Sequence, residues 1–193
     1  MTASTATVPA TRRSTRQPRA ITTAAFPAAL AGAAALAAEA MLQLTNLHWG
    51  AQMLVGTLPQ HLAMALFVAG MIATLPLLFA IGRSTGLAAR VAAGLAAAGQ
   101  LLISVITTQS NIAGHDAKAF NTLAGLGTLV WACALIALAV MAARRRVLPM
   151  PAAIALAVTG PATVMLATKG TGLLAAACWL AVAVAFERRW LAA

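Results

Sequence analysis

Glu39 is the one acidic residue that lies well inside an apolar run; Asp116 and Glu187 fall at or beyond run ends. A carboxyl group within hydrocarbon is costly, so it is the first place to look for chemistry. Gln43 and Asn46 follow it at i+4 and i+7, which puts all three on one helical face. A second stripe repeats the pattern: Gln100, Ser104, Thr107 or Thr108, and Asn111. Counted from the outer ends of their runs at ~1.5 Å per residue, Glu39 and Gln100 come out at a similar depth of roughly 10–12 Å. His61 and Asn121 begin two further runs at that same end. No Lys or Arg lies at the depth of Glu39, so the neutral acid is the expected form. It could donate a hydrogen bond to Gln100 or Ser104, or exchange a proton with the outer medium. The expectation is an outward-facing polar crevice, closed below by Ala, Leu and Val. Glu39, Gln43, His61, Gln100, Ser104 and Asn121 are its candidate ligand- or proton-binding residues, in a transporter-like or sensor protein.

The same residues admit a plainer reading. Gln, Ser and Thr inside membrane spans commonly hydrogen-bond to neighbouring helices, at about 0.6 kcal/mol each. The stripes would then be helix–helix contacts within the bundle, or between an accessory subunit and its protein partner or a second copy. An intramembrane enzyme using Glu39 and His61 is the weakest alternative. His48, His61 and His115 with Asp116 could in principle ligate zinc, but their spacing matches no compact metal motif. There is no H-E-x-x-H, G-x-S-x-G or phosphate-binding glycine loop. No cofactor and no catalytic residue is expected.

What must position these residues is a set of helices. Six apolar runs cover about 21–47, 61–81, 87–108, 120–143, 152–168 and 171–186. Each is close to the ~17–25 residues a helix needs to cross ~30 Å of hydrocarbon. The chain is 62% hydrophobic with a mean hydropathy of +0.89, and 8% of its residues are charged. A soluble domain carries about 25% charged residues, so a soluble catalytic module is excluded. Arg12, Arg13, Arg16, Arg19, Arg83, Arg90, Arg144, Arg145, Arg146, Arg188 and Arg189 all fall on one side of the runs, and only Lys118 and Lys169 on the other. This asymmetry predicts an all-α, six-transmembrane helix bundle of a bacterial inner membrane, with both termini cytoplasmic. The net charge of +10 is explained by topology and anionic lipid rather than by nucleic acid.

Residues 1–20 read as a disordered basic cytoplasmic tail, its Arg12, Arg13, Arg16 and Arg19 suited to anionic lipid. Residues 21–187 form the helical domain and 188–193 a short cytoplasmic end. Ala38-Glu39-Ala40 imitates a signal-cleavage site, yet the apolar stretch continues to Leu47, longer than a signal core. Residues 48–60 are expected to lie in the outer interface, with Trp49 at headgroup level. Pro27, Pro76 and Gly160-Pro161 should bend their helices, with Thr74 and Thr159 helping to satisfy the backbone. Asn121, Gly125, Thr128 and Ala132 form a small-residue face for close helix approach, and Gly94 gives the third run the same character. Cys133 and Cys178 fall at different depths and are expected to be unbridged.

From Trp131 through Arg144-Arg145-Arg146 to Val147-Leu148-Pro149, followed by the Gly160-Pro161-broken run, the second half resembles small six-span bacterial integral membrane proteins of no known activity. The resemblance implies the bundle architecture and brings no functional residues with it.

Overall fold

Long apolar runs closed by glycine, proline and arginine signals fold as helices, because hydrocarbon leaves the backbone no other partner than itself. The computed structural model describes residues 19–45, 57–115, 120–165 and 172–191. They form six helices: α1 (Arg19–Thr45), α2 (Leu58–Thr85), α3 (Leu87–Ala113), α4 (Phe120–Arg144), α5 (Met150–Met165) and α6 (Gly172–Leu191). No strand occurs among the described residues. Residues 1–18 of the basic tail, residues 46–56 with Asn46 and His48, and Asp116, Lys118 and Lys169 lie outside them.

Four helices are long and apolar enough to cross a membrane: Ala24–Thr45, Leu58–Thr85, Leu87–Ala113 and Phe120–Arg144. α5 is a shorter apolar helix over Met150–Thr163, and α6 ends in the charged Glu187-Arg188-Arg189. α2 and α3 run several residues past the apolar segments drawn from sequence. A helix continues until something stops it, whereas apolarity marks only its hydrocarbon portion. At the start of α2, the Thr57 N–H donates to Gln60 Oε1 at 3.1 Å, which helps fix where that helix begins.

Between α2 and α3 the stop is a single residue. Gly86 has φ +133°, a conformation that side-chain-bearing residues rarely adopt, and it reverses the chain between Thr85 and Leu87. The hairpin stays tight because Gly82 faces α3; a Cβ there would lie 2.8 Å from Ala93 Cβ and 3.0 Å from the Ala89 carbonyl. Similar close approaches join α1 to α2 at Gly32 and Gly70, and α3 to α4 where Gly99 meets Gly127 and Trp131.

Consecutive helices pack against one another, and α6 returns to α1, so the bundle is a closed ring in chain order. α2 also touches α4 and α6, which makes it the most central helix. α1 and α3 do not touch. Trp131, Trp179, Leu78, Ile81, Leu135 and Leu156 fill the interior. The outer faces are apolar as well, with Ile72, Phe79, Leu95, Val105, Leu129 and Ile154 exposed. Helices apolar all round belong in hydrocarbon.

Two expectations about packing need correction. The face of α4 that meets α3 is not the one drawn from sequence: Asn121 and Gly125 are exposed, and a Cβ at Gly125 or Gly94 would meet nothing within 4 Å. Gly127 is the packed glycine. Two residues along a helix turn about 200°, so Gly125 and Gly127 face nearly opposite ways. Ala132 does pack, against Gly160 of α5. The helices run through Pro27, Pro76 and Pro161. Thr74 and Thr159 donate to the Met71 and Ala155 carbonyls, both at 2.8 Å, rather than to those of Ile72 and Ala157, which the prolines leave without an N–H partner. Cys133 is exposed on α4 and Cys178 buried on α6; both are free, on helices that do not meet.

Candidate functional site

The residues drawn into one crevice divide between two seams of the ring. In the first, between α1 and α6, Glu39 is 5% exposed. Gln43, one turn on, donates from Nε2 to Glu39 Oε1. The other carboxyl oxygen, Oε2, abuts Gly172, the first residue of α6. A Cβ on Gly172 would collide with that oxygen and with the Leu36 carbonyl, and would lie 2.9 Å from Ala40 Cβ. The glycine is therefore what lets α6 begin against the carboxyl group. A helix start carries N–H groups without intrahelical partners and the positive end of the helix dipole, both favourable to a carboxylate. Chemically, this is a group that can hold a proton or release it beside a matching dipole.

The second seam, between α2 and α3, centres on a neutral amide. Gln100 is fully buried; its Nε2 donates to the Met71 carbonyl and to Thr74 Oγ1, the latter at 2.7 Å. Thr74 in turn donates to the same Met71 carbonyl. Gln100 Oε1 has no hydrogen-bond partner among the described residues. Ser104 turns back on its own helix, donating to the Gln100 carbonyl at 2.9 Å, and Thr108 does the same to Ser104 at 2.8 Å. Neither Gln100 nor Ser104 meets Glu39, because α1 and α3 are not neighbours. The single crevice is thus replaced by two separate polar contacts. The outward side of the α2–α3 seam is an open groove of about 230 Å³, lined by Val68, Ile72, Leu101, Ser104, Val105, Thr108 and Gln109.

Towards the start of α2, His61 pairs with Asn111 near the end of α3. His61 Nδ1 lies 2.7 Å from Asn111 Oδ1, while Asn111 Nδ2 donates to the His61 carbonyl at 3.3 Å. With the amide oriented by that second contact, Nδ1 is the donor to Asn111 Oδ1. Sequence reasoning placed both residues at the outer end but had no signal for their pairing, since they are 50 positions apart. Asn121 is exposed at the start of α4 and joins neither seam. His115 is exposed just beyond α3, and no group of three His, Cys, Asp or Glu able to hold a metal occurs among the described residues.

Trp131 and Trp179 are buried with no partner for Nε1 among the described residues, so the interior contains polar atoms that sequence reasoning did not flag. No protein-family model, no curated protein and no solved structure matches this chain.

Proposed function

We propose that this chain is a six-span integral protein of a bacterial inner membrane, with both termini cytoplasmic, that binds a proton at Glu39 from the outer side as a transporter-like or sensor protein. The observation that carries the reading is the position of Glu39: a buried carboxyl group seated at the start of α6, in a chain with three acidic residues in all. The arginine asymmetry supports the topology, because consecutive antiparallel helices gather Arg83, Arg90, Arg144–Arg146, Arg188 and Arg189 at one end.

The test is difference infrared spectroscopy on the protein in lipid. Wild type is expected to show a carboxyl band that changes between about pH 5 and pH 9, and Glu39→Gln to abolish it. A wild type without that band would remove proton binding and leave the accessory-subunit reading, which the open Asn121–Gly125 face of α4 favours. Reporter fusions test topology separately: outside after Leu58, Gly114 and Gly170, inside after Thr85 and Arg146.

A further inference from the structure

The turn between α4 and α5 has its backbone bonds used up and its cations turned outward. Arg145 N–H donates to the Met141 carbonyl at 3.0 Å, Arg146 N–H to Ala143 at 2.9 Å, and Val147 N–H to Ala142 at 2.8 Å. Together the last two form a Schellman closure, with Arg146 at the left-handed position that glycine usually occupies. Arg146 has φ +55°, and among the described residues it is the one non-glycine with positive φ. Val147 and Leu148 then drop into the core, and Ala153 N–H donates to the Pro149 carbonyl as α5 begins. What the turn offers outward is three exposed guanidinium groups, Arg144, Arg145 and Arg146, on a closed frame.

Topology alone does not account for Arg146. A charge that orients a membrane protein works from any nearby loop position, and Arg144 and Arg145 already supply the sign. Glycine at 146 would relieve the backbone. A strained residue on an over-determined frame points to a role for its side chain. Guanidinium groups match phosphate in a two-pronged geometry that lysine does not reproduce. Directly after the turn, the exposed side of α5 is apolar at Met150 and Ile154, a surface suited to an acyl chain.

We infer that the Arg144–Arg146 turn is a binding site for the phosphate of an anionic phospholipid, with Arg146 held in place to engage it. This rests on α4 crossing a bilayer and not on which leaflet the turn faces.

The experiment measures retention of phosphatidylglycerol against phosphatidylcholine by the purified full chain in mixed nanodiscs, followed by native mass spectrometry. Arg146→Gly is expected to melt no lower than wild type in neutral lipid, because it removes the backbone strain, yet to lose about fivefold in preference for the anionic lipid. Arg146→Lys keeps the charge and should lose part of that preference. Arg83→Ala, at the neighbouring hairpin, should lose much less. Equal losses from Arg83→Ala and Arg146→Gly would overturn the site in favour of diffuse charge. So would an unchanged preference in Arg146→Gly. Displacement of the lipid by millimolar inorganic phosphate would assign the turn to a free anion, and the lipid site would fall. Retention of an acidic protein instead of lipid would also sink it. A reversed topology would show in the reporter fusions and leave these outcomes untouched.

Discussion

The α1–α6 and α2–α3 seams draw on similar side chains from similar expected depths, and they do different things. At α2–α3 the polar group is an amide whose two donor bonds both end on α2, one on a backbone carbonyl and one on a threonine already bonded to that carbonyl. The amide carries no charge to lose, and the contact is a knot between adjacent helices. At α1–α6 the polar group is a carboxyl set between an amide on its own helix and a bare glycine at another helix's first turn. It can change charge without breaking a bond between helices. What a buried polar side chain does in a membrane bundle depends on whose backbone it reaches, and residue type and depth alone do not reveal that.

The largest effect should come from the glycine that makes the α1–α6 seam possible. Gly172→Ala drives a methyl group into the Glu39 carboxyl, which ends a flexible side chain and can shift, and into the Leu36 carbonyl, which is backbone and cannot give cheaply. Overpacking of this kind costs typically about 1–3 kcal/mol. Gly125→Ala, where a Cβ meets nothing within 4 Å, should stay within about 0.5 kcal/mol of wild type. Thermal unfolding in one detergent compares the two directly. Equal effects would mean that α6 does not start against Glu39.

A smaller effect is expected at α2–α3. Gln100→Leu removes the amide but leaves Thr74 bonded to Met71, so no donor is orphaned by the change. The loss should be near the ~0.6 kcal/mol average for interhelical bonds in membranes, and below about 1.7 kcal/mol. It should also be independent of pH. A pH-dependent loss at Gln100 would break the contrast between an uncharged amide contact and a carboxyl one.

The helices and their order were legible because apolar runs, Gly86 and the Arg144–Pro149 stop are strong local signals. The seams were not. In helices apolar on every side, no polar face marks the outward direction, and so Gly125 was favoured over Gly127. Depth counting correctly put Glu39 inside a helix and Gln100 inside another, but it carries no information about azimuth. The closure of α6 onto α1 joins opposite ends of the chain. Gly172 falls at the start of the 171–186 run, where a glycine opening a helix was the one available hint of a close neighbour. The His61–Asn111 pair was hidden for the same reason, since nothing local links the two residues.

The smallest expected effect is also the most direct test of the division into two seams. Glu39 contacts Gln43 and Gly172, Gln100 contacts Met71 and Thr74, and their helices do not touch. Distant sites without shared partners add to within about 0.3–0.5 kcal/mol, whereas residues in one network couple by about 0.5–3 kcal/mol. A cycle of Glu39→Gln, Gln100→Leu and the double variant, read as unfolding free energy in detergent, should therefore give a coupling near zero. Glu39→Gln suits the cycle because it keeps the shape and a hydrogen-bonding end, so it adds no cavity. Coupling above about 1 kcal/mol would restore the single crevice, since only a shared network could transmit it. The same cycle with Thr74→Val in place of Glu39→Gln should give a measurable coupling, because Thr74 and Gln100 are bonded at 2.7 Å. A Thr74–Gln100 coupling that was also near zero would mean instead that the two side chains are not bonded across the α2–α3 seam.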